Sequence, residues 1–170
     1  MTRSNAEIEV ISLCEAWGRL LPDADDLARR VAQLALARGL SKAVLVLPQQ
    51  VELGVVLADD AEQRQLNRDW RGVDRPTNVL AFPAWAPGAQ LPCDAPLLLG
   101  DVVVAFETVA REAGEQDKSF ADHFGHLIVH GVLHLLGYDH ASDMEAVEME
   151  RLETSILAEL GVADPYRDTM

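Results

Sequence analysis

The chain has 170 residues, 49% of them hydrophobic and 25% charged, which is enough for a packed core and ordinary for a single globular domain spanning 1–170. A formal charge of −14 taken alone argues against nucleic acid, because phosphate binding needs local positive charge. The opening MTRSNAEIEV lacks a signal-peptide core, and no apolar run approaches the ~20 residues of a membrane span, so a soluble cytoplasmic protein without membrane contacts is expected.

Taken in chain order, IEVISLC (8–14) is apolar and β-branched enough for a first strand. Pro22, Asp23, Asp25 and Asp26 open a helix that runs through LARRVAQLALARG and stops near Gly39. KAVLVLP (42–48) and VELGVVLA (51–58) read as two strands, too close together for a crossover helix between them. Asp59 or Asp60 caps a helix ending near Gly72, and TNVLAF (77–82) is a short strand entered through Pro76. A loop over 84–96 leads to a strand, LLLGDVVVAF (97–106), and then to a short helix from Glu107 to about Gly114. Residues 119–136 form a largely apolar helix. Ser142-x-x-Glu145 is a capping box for a last helix reaching about Leu160. The sum is an α+β fold, a mixed central sheet of about four strands with helices packed around it. Cys14 and Cys93 lie far apart and suggest no disulfide framework.

HGVLHLLGYDH (130–140) carries the chemistry. His130 and His134, four apart on a helix, can aim both rings at one ion. Gly137 can turn the chain sharply, and His140 then approaches from another direction. Three histidines with an open fourth position suit catalytic zinc, although imidazole also suits nickel, copper and iron. His126 is too far along the axis to share an ion with both helix ligands. It either lines the site, as a ligand-supporting or substrate-contacting group, or is a hydrogen-bonded buried histidine. His123 reads as structural or exposed. Asp139 either orients His134 or His140, or forms an Asx-turn.

This spacing matches the metzincin protease pattern except that Gly131 stands where the general-base Glu belongs. Either the base comes from elsewhere or the chemistry differs. A phosphodiester offers a way out, since a neighbouring 2′-OH or a metal-bound hydroxide can attack and a cation such as Arg can meet the charge of the transition state. The global charge hides such cations. Residues 61–80 hold Arg64, Arg68, Arg71 and Arg75 against three acids, while 139–170 hold nine acids against two arginines. Arg64 and Arg68 read as a solvated face paired with Glu62 and Asp69. Arg71 and Arg75 fall at a turn beside a strand, where functional groups concentrate.

LNRDWRGVDRPTNVLAFP (66–83), LLGDVVVA (98–105) and HLIVHGVLHLLGYDH (126–140) together resemble the bacterial YbeY family. The resemblance implies a metal-dependent endoribonuclease that cuts single-stranded RNA in ribosomal RNA processing, including small-subunit 3′-end maturation, and in ribosome quality control. Its partners would be RNA and the small subunit or its assembly proteins, with no DNA. It implies His130, His134 and His140 as ligands of one Zn²⁺ and Arg71 as a catalytic residue; His126 is carried with Arg71 as a catalytic candidate. Trp70 and Ala81 depart from the family's usual Tyr and Ser. The competing readings are a non-catalytic ribosome-assembly factor with a structural metal, and another metallohydrolase.

Overall fold

The computed structural model describes residues 5–42, 50–86 and 95–166. Four strands form one mixed sheet in the order β1-β2-β4-β3, where β1 is Asn5–Ser12, β2 Gln50–Ala58, β3 Val79–Pro83 and β4 Leu97–Ala105. β1, β2 and β4 run parallel, and β3 is antiparallel to β4. The helices are α1 (Ala16–Leu20), α2 (Ala24–Lys42), α3 (Asp60–Arg71), α4 (Phe106–Glu115), α5 (Phe120–Leu135) and α6 (Asp143–Glu159). Among the described residues no helix is long and apolar enough to cross a membrane.

The α+β expectation holds, with two refinements. The predicted strand over 42–48 meets the described residues only at Lys42, which ends α2; the rest of it lies outside them. The first strand does pair, and it runs parallel to β2 with α1 and α2 between them. This is a crossover that the run at 42–58 concealed. The predicted loop at 84–96 is described only at its two ends.

The main core lies on one face of the sheet. Val51, Leu53, Val55 and Leu57 of β2 and Leu99, Val102 and Val104 of β4 meet Ala28, Val31, Ala32 and Ala35 of α2 and Ile128, Val129 and Val132 of α5. Alternation along β2 is what aims these residues at one face. α1, too short to carry a helical period, inserts the fully buried Trp17 against Phe106, Phe120 and Phe124. The indole N–H donates to the Ala58 carbonyl at 3.0 Å, so the ring is buried without an orphaned donor.

A smaller cluster of Ala58, Leu80 and Val103 lies apart from that core, with Leu66 of α3 packed against it. Polar bonds lock α3 in place: the buried Gln63 donates to the Val103 carbonyl at 3.0 Å and accepts from the Thr77 amide at 2.8 Å. Asp59 caps α3 by accepting from the Glu62 amide at 2.7 Å, and left-handed Gly72 ends it. Ser142 likewise caps α6, accepting from the Glu145 amide at 3.2 Å. Arg64 pairs with Asp74 across the turn, not with Glu62, because the left-handed residue folds the chain back on the helix. Arg68 approaches Asp69 at 3.7 Å.

Candidate active site

α5 begins where the Ser119 hydroxyl accepts from the Asp122 amide at 3.1 Å. It contacts α2, α4, α6, β3 and β4, which is why its sequence is apolar almost all round. Its end is a Schellman turn. The Gly137 amide bonds the His134 carbonyl at 3.0 Å and the Tyr138 amide bonds the Leu133 carbonyl at 3.1 Å. Gly137 has φ of +100°, a conformation that L side chains rarely adopt. Tyr138 anchors the turn by donating to the Gly39 carbonyl at 2.8 Å, and Trp85 donates to the free Leu135 carbonyl at 2.8 Å.

The turn returns His140 to the helix. One nitrogen from each of His130, His134 and His140 lies within 4.8 Å of the others. The His130 and His134 Nε2 atoms are 3.0 Å apart. An ion held at ~2.0–2.1 Å from three tetrahedral nitrogens separates them by roughly 3.3 Å, so the cluster is positioned to hold a metal ion. Burial first, then the neighbouring His130 and His140, push His134 below the ordinary histidine range, toward the neutral form that coordinates metal.

The carboxylate that orients this cluster is Glu153 of α6. Its side chain is only 1% exposed. The His130 Nδ1–H donates to Glu153 Oε1 at 2.5 Å, leaving the lone pair of His130 on Nε2, beside His134. Glu153 Oε2 accepts from His126 Nε2 at 3.1 Å and from the Tyr166 hydroxyl. Burial opposes ionisation of Glu153, yet the hydrogen bonds from His126, His130 and Tyr166 outweigh it and hold the carboxyl at about 2. Asp139 does not orient a ring. Its carboxylate accepts from the His140 backbone amide at 2.8 Å and stays 3.9 Å from the His140 imidazole.

A cleft of about 710 Å³ opens over the histidines. Arg71 lines it together with His126, His130, His134 and His140. His126 lines the cleft and is hydrogen-bonded to Glu153 and Tyr166, half-buried rather than buried. His123 lies outside: it is buried and meets Glu112 at 2.9 Å. Glu112 also accepts from the Asn78 amide at 3.0 and 3.2 Å, and so fixes a polar side chain in the cleft wall. Ala81 lines the same wall with a methyl group. Gly131 is also at the cleft, and the reason it carries no side chain is steric. A Cβ there would sit 2.6 Å from Val102 Cγ1, so the protease's glutamate has no room to start.

Sequence reasoning missed Glu153, Tyr166, Asn78 and Glu112. A signal for the first was present. Met149, Leu152, Glu153, Ile156 and Leu157 form the buried stripe of α6, and a lone acid on an apolar stripe calls for a partner.

The family model described as "Endoribonuclease YbeY" matches residues 23–161. The chain belongs to the YbeY family. A YbeY relative named "Endoribonuclease YbeY" from Paramagnetospirillum magneticum is 56% identical over 161 residues, covering 94% of this chain and 95% of that protein. Another YbeY relative of the same name, from Bradyrhizobium sp. (strain BTAi1), is 53% identical over 161 residues, covering 94% and 92%. In fold, the chain matches the solution structure of TM1509 from Thermotoga maritima with a TM-score of 0.57 at 22% identity, covering 95% of this chain and 96% of that one.

Gly137→Val is expected to strain the turn, because a β-branched residue does not adopt this φ, although open space surrounds the position. Stability should fall by more than ~1 kcal/mol, and metal affinity should fall with it as His140 is misplaced. Thermal melting and metal titration of the same variant check this, and normal values in both would show that the turn tolerates the change.

Proposed function

We propose that this chain is a zinc-dependent endoribonuclease that acts as one domain, cutting single-stranded RNA in ribosomal RNA processing and ribosome quality control in the cytoplasm. The observation that carries the reading is that Arg71 and the three-histidine cluster line one cleft. Membership of the YbeY family supports the RNA substrate and, through it, a docking role for the small ribosomal subunit.

His130, His134 and His140 would hold the ion. When bound, it supplies Lewis acidity toward a phosphoryl oxygen. Glu153 keeps the His130 tautomer that presents Nε2, and its buried charge offsets part of the ion's. Arg71 binds the scissile phosphate through a planar fork of donors and meets the charge that grows on its oxygens. His126, held by Glu153, contacts the substrate from the cleft wall. A protease reading is disfavoured by the packed contact at Gly131. A structural metal is disfavoured because the cluster offers three protein ligands among the described residues, and closed sites use four.

The test is a time course on single-stranded RNA, with metal content measured for each protein. Holo-protein should cleave and chelated protein should not. Arg71→Glu should keep its metal and lose cleavage, since it reverses a charge without touching a ligand, while Arg71→Lys should be partly active at best. Cleavage by Arg71→Glu at the wild-type rate would remove Arg71 from the reaction. Intact RNA with wild-type holo-protein, even with ribosomal subunits added, would favour the assembly-factor reading.

A further inference from the structure

Beside the cleft lies a second concavity of about 350 Å³, lined by Asn67, Arg71, Val73, Arg75, Pro76 and Thr77. Arg71 and Thr77 line both, so the two adjoin. Two neighbouring arginines are paired: Arg64 with Asp74 and Arg68 with Asp69. Arg71 and Arg75 are both exposed, and neither has a carboxylate partner among the described residues. In a chain of net charge −14, two adjacent unpaired guanidiniums on one concavity are a local reversal of sign.

The backbone that presents them is fixed. The buried Asn67 amide donates to the Arg75 carbonyl at 2.8 Å, the Val73 amide bonds the Asn67 carbonyl at 3.3 Å, and Thr77 is held by Gln63. The first of these bonds uses the Asn67 nitrogen and so settles the orientation of the amide. Its Oδ1 is left buried without a donor, on a residue that lines the concavity. Guanidiniums on a preformed turn suit phosphate oxygens.

We propose that this concavity is a second phosphate subsite, in which Arg75, beside Arg71 on the scissile phosphate, binds the phosphate next to it. It rests on the endoribonuclease reading for its substrate. Its consequence is that binding strength comes from a strand running across two phosphates, not from the metal alone.

The experiment measures binding of a fluorescein-labelled 2′-O-methyl oligoribonucleotide to full-length holo-protein by anisotropy across a salt series, with cleavage of the matching RNA assayed in parallel. Arg75→Ala should weaken binding and reduce the slope of log K against log salt by about 0.7, the value for one phosphate contact on a single strand. It should raise KM and leave kcat unchanged. Arg75→Lys should keep most of the slope. Arg30→Ala, an equal charge change on α2, should leave slope and affinity as they were. The side chain of Arg75 is exposed and its backbone bonds survive in both variants, and melting curves confirm folding. Wild-type affinity and slope for Arg75→Ala, an equal effect from Arg30→Ala, or no binding by any of the proteins would overturn the subsite. Cleavage without any Arg75 effect removes the subsite and keeps the endoribonuclease; Arg75-dependent binding without cleavage does the reverse.

Discussion

A His134→Ala, His140→Ala double variant is expected to fold and to bind no metal. This pair is the informative one because it spares His130, whose bond to the buried Glu153 also serves stability. Removing His130 would leave that carboxylate short of a donor, at a cost of roughly 1–3 kcal/mol for a buried unsatisfied group and more when charged. Metal analysis of the purified proteins should find about one ion per wild-type chain and none in the variant. Thermal melting gives a second readout. Ligand at about 100 times its Kd adds about 2.7 kcal/mol to folded-state stability, so a chelator should lower the wild-type melting temperature and leave the variant's unchanged. Glu153→Gln should fall between them, losing roughly 10–100-fold in affinity as a partner of a ligand rather than a ligand. A double variant with full metal occupancy would place the ion elsewhere in the molecule.

Gly131→Glu is expected to be the most damaging single change near the cleft. Its Cβ would meet Val102 Cγ1 at 2.6 Å and Cγ2 at 3.1 Å, and Val102 is fully buried in β4. Overpacking of this kind costs about 1–3 kcal/mol, and a carboxylate forced into the same contact adds its desolvation. Gly131→Ala separates the two terms. Helix propensity alone would make alanine about 1 kcal/mol better than glycine, so a loss of stability on that substitution measures the contact directly. Val102→Ala should relieve it, giving a favourable coupling energy in the double-mutant cycle. A Gly131→Ala protein more stable than wild type would show that α5 can lift from β4 at little cost.

Elements whose identity rests on neighbouring residues were legible in the sequence. α3 lies between a capping Asp59 and Gly72, and α5 ends in the turn that Gly137 allows, so their limits are local chemistry. The three-histidine cluster follows from that turn, which is why its members could be named before any coordinates. What depends on distant packing was not legible. The parallel pairing of β1 with β2 joins segments more than forty residues apart, and α1 is too short to show a period. Arg64 could be paired correctly only once the turn after Gly72 brought Asp74 back. Asp139, beside His140 in sequence, was the natural candidate to orient a ring, but Glu153 reaches His130 because α6 packs against α5. Tyr166 lies further along still, on a segment held against the site by its contacts with Glu153 and His126.

The dependence of the cluster on Glu153 and Tyr166 sets an order on how the protein is made. Synthesis runs from the N-terminus, so a nascent chain that has released α5 but not α6 carries His126, His130 and His134 with no carboxylate to fix a tautomer. Domains generally fold as units, and Tyr166, which lines this cleft and bonds Glu153, is among the last of the described residues to be made. Arg71, which lines the same cleft, is made long before. The completed cleft is thus among the last features the chain acquires, after all four strands of the sheet and most of the main core residues have been synthesised.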